Sequence, residues 1–141
     1  MIPPFALIIP SLDGDTEPLL AAVARQTRQP AEVVVVRGVR PNGHARNRGV
    51  AQTRSPLLVF LDDDAMPGHP ELFERLLEPL RDPLVGVAGS AKLLPPNASA
   101  FQRRVDHEVP RITHPVVQTT LETNPDPPLF YCDITTTCCA M

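Results

Sequence analysis

Short apolar runs alternate with amphipathic stretches along the first two-thirds of the chain. FALII (5–9) is closed by Pro10 and reads as a strand. EPLLAAVARQT (17–27) puts Leu19, Leu20, Val23 and Ala24 at helical spacing, with Asp15 or Thr16 as cap and Pro18 in the first turn. EVVVV (32–36) is a β-branched run without polar alternation, which predicts a strand covered on both faces. GHARNRGVAQTR (43–54) predicts a shorter helix, and PLLVFL (56–61) a third buried strand. HPELFERLLEPL (69–80) predicts an amphipathic helix with Leu72, Phe73, Leu76 and Leu77 on one side. LVGVAGSAKLL (84–94) predicts a fourth strand, and FQRRVDHEVPR (101–111) has mixed charge and helical potential.

This order implies an α/β fold: an open, mostly parallel, Rossmann-like sheet with helices on both faces. In such sheets ligands sit outside the carboxyl ends of the strands. Three polar segments fall there: PSLDGD after the first strand, RGVRPNG after the second and DDDA after the third. The 18 prolines thicken after residue 94, in LLPPNASA, VPRITHP and NPDPPLF. Proline fixes φ and removes a backbone donor, so an irregular C-terminal part is expected. The organisation read from this is an α/β half over 1–95 and a proline-rich connection over 96–141.

Composition changes the picture mainly by exclusion. With 141 residues, 43% hydrophobic and 21% charged, the chain can bury a sizeable core. A net charge of −3 argues against nucleic acid as a partner, which asks for a basic surface. The apolar runs are strand-sized, far short of a membrane span. MIPPFALIIPS has no basic n-region, so the expected location is cytoplasmic, or peripheral at the inner face of a membrane. Cys132, Cys138 and Cys139 lack a Cys-x-x-Cys spacing and read as free thiols. His44, His69, His107 and His114 share no metal-ligand spacing.

The segment VFLDDDAMPG raises the chemical question. Asp62, Asp63 and Asp64 follow directly on an apolar strand, although adjacent carboxylates repel and desolvation adds to the cost. A solvated turn that caps the next helix is one explanation. The other is a divalent cation, Mg²⁺ or Mn²⁺, which offsets the repulsion and shares the carboxylates with phosphate oxygens.

ALIIPSLDGD, AEVVVVRG and GHARNRGVAQTRSPLLVFLDDDAMP together resemble the nucleotide-sugar-binding half of the inverting family 2 glycosyltransferases, which have the GT-A fold. The likeness covers roughly residues 3–95. Its strongest part is Ala45-Arg46-Asn47-x-Gly49 opening a helix, followed by a strand and a DxD-like acidic motif. The resemblance implies a metal-dependent, inverting transfer of sugar from a nucleoside diphosphate donor to an acceptor hydroxyl on a sugar, lipid or protein. It implies that Pro10 and Ser11 touch the nucleoside, that Arg46 or a nearby basic residue sits near the diphosphate, and that the donor lies across the strand ends at Pro10, Arg37, Arg46 and Asp62 to Asp64. Asp62 would lie near ribose or diphosphate. Asp64 is the implied metal ligand, joined by Asp62, with Asp63 beside it.

Two departures stand against the pattern. The second strand in this family commonly ends in an aspartate that holds the nucleobase; here it ends in Arg37, which cannot accept the base N–H. The base would then fall to another group, Asp13 or Asp15, or the donor is not the commonest uridine type. The resemblance also implies an acceptor half carrying a general base, of which 96–141 would hold only an incomplete start; Asp133, the acid near the expected region, does not match the base's placement and reads as a strand or turn acid. The departures favour, as an alternative, a degenerate module that binds nucleotide or a partner without transfer. An uncovered sheet edge would invite self-association. DDAMPG (63–68) also looks like the phosphoacceptor loop of a signalling receiver domain, with Asp63 as acceptor. However, a receiver has acids where Pro10 and Ser11 stand and a lysine before a later proline.

Overall fold

The computed structural model describes residues 2–90, 94–108 and 138–141. Ten elements follow in chain order. Strand β1 (Phe5–Ser11) leads to helix α1 (Glu17–Val23), and β2 (Glu32–Arg37) to α2 (Asn42–Val50). β3 (Leu57–Leu61) leads to α3 (Leu72–Leu77), a 3₁₀ turn over Glu78–Arg81, and β4 (Ala88–Gly89). α4 (Ala100–Glu108) and β5 (Cys138–Ala140) complete the described chain.

The strands form one sheet in the order β2-β1-β3-β5-β4. β1 pairs in parallel with β2, Ala6 opposite Glu32 and Ser11 opposite Arg37, and with β3, Phe5 opposite Leu57 and Ile8 opposite Phe60. β5 runs antiparallel between β3 and β4, placing Cys139 opposite Phe60 and Gly89. The sheet is therefore mostly parallel and open, as expected. The C-terminal part is not irregular throughout: its last residues return to the sheet of the first segment as a paired strand.

Central β1 is buried at every position. Its odd residues Phe5, Leu7 and Ile9 meet Leu19 and Val23 of α1 and Phe73, Leu76 and Leu77 of α3. Phe5 and Phe73 pack edge to face at 5.3 Å between ring centres. Ile8 points to the opposite face, where it joins Phe60 and Cys139 beneath α2. Gly49 allows α2 to lie close: a Cβ there would collide with the Ile8 Cγ2 methyl and stand 3.3 Å from Val36 Cγ2.

Several predicted elements change in extent. β2 is an edge strand and not one covered on both faces; Val33 is 44% exposed and only Val36 of the strand is buried. Its β-branched run reflects strand propensity more than burial. The predicted 84–94 strand reduces to Ala88–Gly89, with 91–93 outside the described residues. α1 stops at Val23 because the Gln29 side-chain amide donates to the carbonyls of Val23, Ala24 and Gln26, which terminates the helix. α3 starts at Leu72, not at 69. The buried Gln26 side chain holds its entry, donating to His69 O at 2.9 Å and accepting from Phe73 N–H at 3.4 Å. α4 starts with a capping box: Gln102 N–H donates to Ser99 Oγ at 3.1 Å, and Ser99 N–H to Gln102 Oε1 at 2.7 Å. It buries none of its residues.

Candidate functional site

The parallel strands β2, β1 and β3 end side by side, and the loops that leave them enclose an open cleft of about 1070 Å³. One wall is Pro10–Asp15, the continuation of β1. The opposite wall is Val39–Asn42, which follows β2. Asp63 and Asp64, beyond β3, complete the lining. Gly38 shapes the second wall. Its φ of +67° is open to glycine at little cost, and its N–H donates to Ser11 O (2.9 Å) and Leu12 O (3.2 Å), folding the loop over the end of β1.

Of the residues expected at a donor site, Pro10, Ser11, Asp13, Asp63 and Asp64 line this cleft, and so does Asp15. Arg37, Arg46 and Asp62 do not. Arg46 Nη2 donates to Asp62 Oδ1 at 2.6 Å, and both side chains are largely buried at 20% and 23% exposure. α2 carries Arg46 in its middle, so the Ala45–Gly49 motif lies within the helix and does not open it. Arg37 reaches back along the surface: Nη1 donates to Gly14 O at 3.0 Å and Nη2 to Thr16 Oγ1 at 2.8 Å.

Asp63 lies tight against the first wall. A Cβ on Gly14 would stand 2.6 Å from Asp63 Oδ2 and 3.4 Å from Ser11 Oγ. The triplet is thus divided. Asp62 is spent on a largely buried ion pair, while Asp63 and Asp64 line the cleft. This answers part of the repulsion problem, since one of three charges is neutralised by Arg46. Behind the pair, burial pushes the free Cys139 thiol up; the Arg46 charge acts to lower it and the Asp62 charge to raise it.

Sequence reasoning missed Arg40 and Asn42. Arg40 is the sole cation among the described lining residues, facing four aspartates: Asp13, Asp15, Asp63 and Asp64. The signal was present, because RGVRPNG falls after a strand and is rich in turn residues. The pattern could not say which arginine of the loop lines the cleft. Asp133 lies outside the described residues. No group of three or more His, Cys, Asp or Glu among the described residues forms a ready-made metal cage. Two carboxylates on an open cleft do fit a cation that completes its shell with ligand oxygens.

An open, mostly parallel α/β sheet with acids beyond its third strand and a cleft across its carboxyl ends is the architecture of a GT-A-like fold. Residues 2–123 match the glycosyltransferase-like family 2, and the chain belongs to that family. No curated protein and no solved structure matches the chain significantly. The family places it among the glycosyltransferases in general. No helix among the described residues is long and apolar enough to cross a membrane.

Proposed function

We propose that the cleft binds a nucleoside diphosphate sugar and that the protein transfers its sugar, with inversion, to an acceptor hydroxyl. The observation that carries this reading is the pairing of Asp63 and Asp64 with Arg40 around one cleft at the strand ends, in a chain of this family. The carboxylates suit a shared Mg²⁺ or Mn²⁺, which when bound offsets the charge of the departing diphosphate. Arg40 supplies permanent donors to the anionic or carbonyl oxygens of the donor. Pro10, Ser11 and Leu12 form the less charged part of the wall, suited to the nucleoside. In the transfer, the acceptor oxygen bonds to the anomeric carbon as the bond to the diphosphate breaks on the opposite side. Loss of the hydroxyl proton needs a general base, and no residue is assigned to that role.

A second reading has one observation in its favour. Arg37, at the end of β2, holds protein groups where the resembled family has a base-binding carboxylate. A binding module without transfer would tolerate that change. The test for both is calorimetric titration with UDP, GDP and dTDP, with and without Mn²⁺, on the wild type and Asp64→Ala. The expected result is Mn²⁺-dependent binding of one nucleotide, weakened at least about tenfold in the variant. No binding under any condition overturns the donor-site reading. Binding without sugar release or transfer from the matching donor selects the module.

A further inference from the structure

We propose that Arg37 is a positioning residue that holds the 11–16 loop, keeping Gly14 against Asp63, and that it does not touch the ligand. The inference rests on the cleft being the donor site. Arg37 is exposed and absent from the cleft lining, yet its guanidinium bridges two separate acceptors of one loop: Gly14 O at 3.0 Å and Thr16 Oγ1 at 2.8 Å. A planar fork can span both; a single ammonium cannot do so with the same geometry.

The arrangement at Thr16 supports a dedicated contact. Thr16 is the N-cap of α1 and is only 3% exposed, but its side chain makes no capping hydrogen bond. The hydroxyl accepts from Arg37 instead, and Asp15 Oδ1 takes the Glu17 N–H at 2.9 Å. The carbonyl of Gly14 accepts from Arg37 on one side, and Ser11 Oγ approaches it at 3.5 Å. On the other side the Gly14 Cα packs so close to Asp63 that a methyl would not fit without moving the carboxylate. A contact chain therefore runs from the end of β2, through Gly14, to an acid of the cleft. Releasing the loop would free Asp63 to move. Exposed charged hydrogen bonds contribute little to global stability, so the consequence should be local.

The experiment compares wild type with Arg37→Met, Arg37→Lys and Thr16→Val. It reads amide hydrogen exchange, thermal midpoint and Mn²⁺-dependent titration with UDP and GDP. Arg37→Met should speed exchange at residues 14–17 and weaken nucleotide binding about five- to tenfold, with an unchanged midpoint. Arg37→Lys should fall between, and Arg37→Met combined with Thr16→Val should be no worse than the weaker single variant. Unchanged exchange in Arg37→Met overturns the proposal, with or without lost affinity; with it, Arg37 would be a direct ligand contact. Unchanged affinity overturns it too, as does a lowered midpoint with faster exchange across the whole sheet. If the wild type binds no nucleotide, the donor reading fails separately. Arg37 is then judged on loop exchange alone, where a rise upholds the contact and no change overturns it.

Discussion

The two faces of the sheet are held by different means. On the α1 and α3 face, twelve buried residues among those described form one cluster, with Phe5, Phe73, Leu7, Ile9 and Leu77 among its largest fully buried members. On the α2 face the buried cluster among the described residues is Ile8, Phe60 and Cys139, with Val50 and Leu58 partly covered. The first face is filled by side-chain volume. The second relies on close backbone approach at Gly49 and on two polar anchors: Arg46, in the middle of α2, with Asp62, and Ser55, in the turn beyond α2, with Glu32. The difference teaches where chemistry can sit. A helix held by polar contacts brings charged groups to the strand ends, whereas an apolar one has none to spare.

Removing volume should hurt the first face most. Phe73→Ala deletes a fully buried ring and its edge-to-face partner contact, and should cost about 3–5 kcal/mol in urea unfolding. Adding volume should hurt the second. Gly49→Ala forces a methyl into Ile8 and should cost about 1–3 kcal/mol. If Gly49→Ala proves harmless while the fold is kept, α2 can lift from the sheet and the contrast between faces dissolves. The next effect is smaller and electrostatic. A double-mutant cycle over Arg46→Met and Asp62→Asn should give a coupling of about 1–2 kcal/mol, since both side chains are mostly shielded from water. A coupling near zero would mean that α2 is held by packing alone.

How much of this was legible follows the same division. The order of elements came through because β1, β3 and α3 carry unbroken apolar or 3.6-residue patterns set by the thick face. The extent of β2 did not, because a β-branched run looks the same on an edge as in a covered strand. A strand region in YCDITTTCCAM was legible, but its antiparallel insertion between β3 and β4 was not, because those partners are distant in sequence and pairing is decided by tertiary contacts. At the site, the loops were legible and the side-chain directions were not. Asp63 and Asp64 line the cleft. Arg37, Arg46 and Asp62 turn to protein partners, and Arg40 is the arginine that lines the cleft. Gly49 was visible as part of a motif, but its reason, the Ile8 contact, needs both α2 and β1 in place.

The smallest predicted effect separates the faces by pH. Glu32 accepts from Ser55 Oγ at 2.6 Å, Ser55 N–H at 2.9 Å and Arg54 N–H at 3.1 Å, fixing the turn that leaves α2. The Ser55 hydroxyl, and then the Arg54 amide, hold its carboxyl below the ordinary range. A carboxylate whose folded pKa is lowered stabilises the fold above its unfolded value and loses that contribution as pH falls through the folded one. The difference in urea midpoint between wild type and Glu32→Gln should therefore be constant at neutral pH and shrink as pH drops below about 4.3. Glu71, lowered by its hydrogen bond to Arg75 on the outer side of α3, titrates in the same window but is common to both proteins and cancels. The Phe73→Ala difference has no titrating origin and should stay flat over the same range. An acid-labile Phe73 difference, or an acid-stable Glu32 difference, would show that the two faces unfold through shared contacts and not through the separate volume and polar anchors described above.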